Sequence, residues 1–160
     1  MESEACCFSG HRDIPAGERE RLERLLDKYI CDISACGRKS FICGGARGFD
    51  TLAARAVLRA RARDGAVRLS LVIPYRGMEK RWPEWDRLEF EDILAQADSV
   101  RYIAEEYDRD CMLRRDRYMV EHSDICVAYL TRDTGGTAYT VAYALKRGIE
   151  VVNLAVLIDN

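Results

Sequence analysis

Apolar positions along the chain alternate between short continuous runs and longer stretches that repeat every three or four residues, six strand-like and five helix-like in all. The strand-like runs are 5–8, 40–43, 68–73, 99–103, 124–130 and 150–154, and the helix-like stretches are 16–36, 50–63, 82–96, 110–123 and 137–146. The first helix has the clearest face, with Leu22, Leu25, Leu26, Tyr29, Ile30 and Ile33 on one side. Asp50 is placed to cap the second helix, Pro74 to end the third strand and Gly148 to stop the last helix. Helix-length connections between successive strands require a mainly parallel sheet with helices on both faces. The expected fold is therefore an α/β Rossmann-like three-layer sandwich of about six strands.

Two glycine-rich turns follow strand-like runs and open onto helices: Cys43-Gly44-Gly45-Ala46-Arg47-Gly48-Phe49-Asp50 and Thr134-Gly135-Gly136-Thr137. Glycine lets backbone approach a ligand closely, and the free N–H groups of a helix N-terminus favour an anion, so the repeated device points to phosphate. Neither turn fits GxGxxG or GxxxxGK[ST]. In a parallel sheet the loops after the strands share one edge. Ser9-Gly10-His11-Arg12, the two glycine turns and Pro74-Tyr75 are therefore expected to converge on one cleft.

The 160 residues fit one domain spanning 1–160, and 48% hydrophobic with 32% charged residues is ordinary for a globular protein. No run approaches the ~20 apolar residues needed to cross a bilayer. The opening Met1-Glu2-Ser3-Glu4 has no basic region, which points to a cytoplasmic protein with no membrane partner. A net charge of −2 and a pI near 5.8 argue against nucleic acid. Seven cysteines, scattered and without repeated CxxC spacing, are read as small core hydrophobes rather than a disulfide framework. Metal coordination by Cys7, His11 and Cys43 lacks a paired short-spacing motif, and no cofactor is expected.

On the helix at 110–123, Met112, Arg115 and Met119 share a face, so Arg115 points inward and needs an anionic partner. Asp116 would make it a structural ion pair; a bound anion would make it a ligand contact. His11, Arg12 and Arg47 are further candidate contacts, with capping for His11 and a surface ion pair for Arg12 as the structural alternatives. Tyr75, Trp82 and Trp85 either stack on a base or anchor their helix to the core.

The segment Met112-x-x-Arg115-x-x-x-Met119-x-x-His122-Ser123-Asp124, with the apolar strand and Gly-Gly turn after it, resembles the LOG-type phosphoribohydrolases of the SMF/DprA–LOG (SLOG) superfamily. Cys7-Phe8-Ser9-Gly10-His11-Arg12, Gly45 to Ala54 and Tyr118-Met119-Val120 resemble its bacterial YpsA-like branch, and the similarity covers nearly the whole chain. The LOG resemblance implies cleavage of the N-glycosidic bond of a nucleoside monophosphate by an arginine, matched by Arg115, and by a glutamate after a PGGxGTxxE turn. Thr140 stands at the glutamate position, and a threonine supplies no carboxylate for an oxocarbenium-like transition state. DprA members bind single-stranded DNA, and superfamily members commonly self-associate.

The leading expectation is binding of a nucleotide or nucleotide-derived small molecule, as a sensor or regulatory module. Its contacts would come from Ser9, Gly10, His11, Arg12, Gly44, Gly45, Arg47, Gly48, Arg115, Gly135, Gly136, Thr137 and Thr140. A hydrolase in which Glu79, Glu84 or Asp86 replaces the missing glutamate is the enzymatic alternative, and single-stranded DNA binding is the third.

Overall fold

Each short apolar run is wide enough to be covered on both faces, and no two are joined by a turn tight enough for a hairpin, so the strands pair in parallel. The computed structural model describes residues 5–158; residues 1–4, read above for their missing basic charge, lie outside them. In chain order the elements are β1 (Ala5–Gly10), α1 (Ala16–Ala35), β2 (Ser40–Cys43), α2 (Phe49–Arg63), β3 (Arg68–Tyr75), α3 (Glu84–Gln96), β4 (Ser99–Ala104), α4 (Cys111–Glu121), β5 (Ile125–Tyr129), α5 (Gly136–Lys146) and β6 (Glu150–Asn153). Every ladder is parallel and the order across the sheet is β4-β3-β2-β1-β5-β6. This is a three-layer Rossmann-like α/β fold.

Period-two alternation along the central strands divides the core in two. Cys6 and Phe8 of β1, with Ile125, Val127 and Tyr129 of β5, pack on the face covered by α1, α2 and α3. Cys7, Cys126 and Ala128 face the opposite side, under Met119 and Val120 of α4 and Val141 and Ala144 of α5. The stripe read on α1 is its buried face, at Leu22, Leu26, Ile30 and Ile33. Tyr129 is buried, and its hydroxyl donates to Glu18 Oε1 at 2.7 Å, which ties the end of β5 to the first turn of α1.

Several local expectations are corrected. Pro74 lies inside β3, which continues to Tyr75. The β2 ladder ends at the Cys43–Leu71 pair, so β3 has one side with no ladder bond to lose where the proline sits. Gly48, not Asp50, occupies the N-cap of α2. Cys31 and Cys36 are exposed, whereas the other five cysteines are buried, and all seven are free. Met112, in the first turn of α4, is exposed, while Arg115 and Met119 are buried. No helix among the described residues is long and apolar enough to cross a membrane.

Candidate functional site

The chain lays down β1 to β4 outward in one direction and then returns to place β5 on the other side of β1. The loops leaving β1 and β5 therefore diverge to opposite faces of the sheet, which opens a crevice between them at their C-terminal ends. Two devices hold the loop after β1. His11 Nε2 accepts a hydrogen bond from Thr131 N at 3.0 Å, binding it to the loop after β5. Phe49 N donates to His11 O at 3.2 Å, binding it to the start of α2. The imidazole is buried, and burial and the nearby Arg132 both lower its pKa from 6.5, which favours the neutral ring that can accept from Thr131. Gly48 has φ +79°, and a Cβ there would overlap the Arg12 carbonyl, so this position requires glycine for the two loops to touch.

The crevice has a volume of about 210 Å³. Its floor is a charged cluster. Arg115 Nε donates to Asp116 Oδ1 at 2.7 Å, and its Nη1 donates to the Gly44 carbonyl. Asp50 Oδ2 accepts from Ala46 N at 3.2 Å. A Cβ on Gly44 would come within 2.8 Å of Arg115 Nη1 and 3.0 Å of Asp50 Oδ2, so glycine here admits the guanidinium and carboxylate together. Burial raises the Asp50 carboxyl to about 7, opposed by Arg115 and the Ala46 N–H and reinforced by Asp116. Arg115 is thus inward-facing, as its helical position predicts, and it is already engaged by the protein.

One wall is the N-terminus of α5. Gly135 is its N-cap, with φ +94°, and Gly136 and Thr137 line the crevice. A Cβ built on Gly136 would meet nothing within 4 Å. The fold itself makes no demand for glycine there. Thr140, one turn further on, is buried and donates its hydroxyl to Gly136 O at 2.9 Å, which braces the turn. The facing wall carries Ser9, Gly10, His11 and Arg12. Arg12 and Arg132 line the same space, and neither has a hydrogen-bond or ion-pair partner among the described residues.

The remaining expected contacts lie elsewhere. Gly44, Gly45, Gly135 and Thr140 are not lining residues of this crevice; Gly44 sits beneath its floor, and Gly45 is turned toward Ile73 and Phe90 of the core. Arg47 and Gly48 line a second cavity of about 460 Å³ on the other side of Arg12, between α2 and α3. Two cavities flanking one arginine thus replace the single cleft read from the loops. Pro74 and Tyr75 line neither, and Tyr75 packs edge-on to Tyr107 at 5.4 Å. Of the carboxylates considered as glutamate substitutes, Glu79 and Glu84 line neither cavity, and Asp86 is bound to Arg47 at 3.0 Å. Trp82 anchors against Phe90 at 5.4 Å, whereas Trp85 is exposed. Arg132, which also lines the crevice, has no sequence signal beyond its place between β5 and the Gly135 turn.

With this geometry in view, the chain can be set beside known proteins. Residues 15–155 match the model of the YspA SLOG family. A UPF0398 protein of Bacillus cereus strain G9842 is 28% identical over 133 residues, covering 81% of this chain and 70% of its own length. Among solved structures, DNA processing protein A (DprA) of Streptococcus pneumoniae superposes with a TM-score of 0.65 at 16% identity, over 92% of this chain and 49% of that one. Helicobacter pylori DprA, whose structure concerns a single-stranded DNA binding mode, gives 0.64 at 16% identity, over 94% and 64%. The chain therefore spans about half to two-thirds of those proteins, and the likeness is one of fold. The family match extends over most of the chain, and the protein belongs to the YspA SLOG family.

Proposed function

We propose that the crevice between β1 and β5 binds the phosphate of a nucleotide or nucleotide-derived small molecule, and that the protein is a sensor or regulatory module. The observation that carries this reading is the convergence of uncommitted positive groups on one small space. Arg12 and Arg132 face the N-terminus of α5 without protein partners among the described residues. The first N–H groups of a helix are the fold's natural anion donors. Gly136 leaves that end of the helix uncovered.

The chemistry at Thr140 supports binding over turnover by the LOG mechanism. The threonine hydroxyl is given to the Gly136 carbonyl and the residue is buried, so no carboxylate occupies the position where the LOG resemblance requires one. The test is a thermal-shift screen of nucleoside mono-, di- and triphosphates, followed by chromatography of each stabilising compound. A ligand at 100 times its Kd stabilises by about 2.7 kcal/mol. The reading predicts a stabiliser recovered intact. Free base and sugar phosphate would establish a hydrolase instead, and stabilisation by single-stranded DNA alone would establish a nucleic-acid partner.

A further inference from the structure

The crevice between β1 and β5 is too small to enclose a ligand larger than a mononucleotide. Its volume of about 210 Å³ falls below the roughly 300–1,000 Å³ of pockets that enclose such molecules. It seats one part of the ligand, and the rest must leave it. Arg12 marks the route, because this unpartnered side chain lines both the crevice and the cavity of about 460 Å³ between α2 and α3.

The second cavity has the complementary features. Arg47 is paired with Asp86 at 3.0 Å, and Glu89 with Arg55 at 2.9 Å, a guanidinium that also holds Asp92 at 2.7 Å. Arg12 and Arg19 also face the opening, against Asp13; Arg19 pairs with Glu23 at 3.5 Å on the exposed surface of α1 and acts electrostatically on Glu89, which leaves Arg12 as the cation without an ion pair among the described residues there. Trp85 forms part of the rim and is 76% exposed. An indole presented so fully to solvent offers a flat apolar face on which an aromatic ring can stack.

Resting on the nucleotide reading above, we propose that this cavity is a second subsite of the same ligand, and that the chain binds two aromatic rings joined by a pyrophosphate. One phosphate sits at the N-terminus of α5, the other passes Arg12, and the distal ring stacks on Trp85. The two halves of the molecule thus lie on opposite sides of the loop that follows β1. A mononucleotide fills only the first subsite.

Isothermal titration of the full chain with AMP and with diadenosine pyrophosphate tests this. The proposal predicts that diadenosine pyrophosphate binds at least tenfold more tightly than AMP, and that Trp85→Ala reduces this ratio toward one. Arg12→Gln lowers affinity for both. Thermal unfolding of Trp85→Ala, a change at an exposed site, confirms that the variant is folded. Equal affinities of the wild-type chain for the two compounds, or an undiminished ratio in Trp85→Ala, would overturn the second subsite and leave the phosphate site standing. No binding of either compound would overturn both. Tighter binding of an oligothymidylate than of diadenosine pyrophosphate would assign the Trp85 cavity to nucleic acid and overturn the proposal.

Discussion

Asp50→Asn removes a charge from the floor of the crevice while keeping the side chain's shape and its ability to accept from Ala46 N. Burial is the main cause that lifts this carboxyl from 3.8 to about 7, against the pull of Arg115. The folded chain therefore holds a proton that the unfolded chain has released across that interval. The group's contribution to stability is fully present below pH 3.8 and is lost as the pH rises to about 7. Roughly three units at ~1.36 kcal/mol each sets the loss at no more than about 4 kcal/mol. Asparagine has no such titration, and the groups that do not interact with Asp50 cancel when variant and wild type are compared at each pH. Urea denaturation of both proteins should show their difference in unfolding free energy moving in favour of Asp50→Asn by about 2–4 kcal/mol between acid and neutral pH. A difference that is constant across this range, or that moves in favour of aspartate, would refute the assignment of Asp50 as a buried, desolvated carboxyl.

Further expectations come from the same cluster and from the α5 terminus. Arg115→Ala leaves Asp116 and the Gly44 carbonyl without their partner and should destabilise the fold by about 3 kcal/mol in urea denaturation; weaker AMP binding at unchanged stability would show that the guanidinium serves the ligand instead. Gly136→Val places a side chain where the fold has room, in the space proposed for the phosphate. It should reduce AMP affinity by roughly tenfold or more, the scale of one lost charge-assisted hydrogen bond, with an unchanged Tm. Sulfate, whose charge is constant near neutrality, should bind more tightly below pH 7 than above it, because ionised Asp50 faces the same space. Asp50→Asn should abolish that dependence in calorimetric titrations.

The order of elements is legible in the sequence because hydrophobic period is a local property. Strand ends are less so: β3 runs through Pro74 because β2 has already ended beside it, a fact about a neighbour rather than about the proline. Periodicity also separates Cys31 from the buried stripe of Leu22, Leu26 and Ile30, yet the general tendency of cysteine to be buried points the other way, and periodicity wins. At the site, the glycine turn before α5 and the loop after β1 are readable from their residue types and positions after strands. The inward aim of Arg115 follows from its helix face. Its pairing with Asp116, the next residue, is the structural alternative the sequence offers; that the Gly44 carbonyl is its other partner depends on how α4 packs over the end of β2, which no local pattern contains. Arg132, a lone cation in a polar loop, carries no pattern of its own and gains meaning only when β5 is placed beside β1. Two cavities in place of one arise because Gly48 lets the loop after β1 press onto the start of α2.

The most direct test of the phosphate site is a titration of the isotopically labelled 18.3 kDa chain with AMP, following backbone amide resonances. The account predicts that the amides of Gly135, Gly136 and Thr137 move first and saturate together with the Arg12 and Arg132 side-chain signals. Saturating shifts confined to other loops, with the α5 amides unmoved, would contradict it.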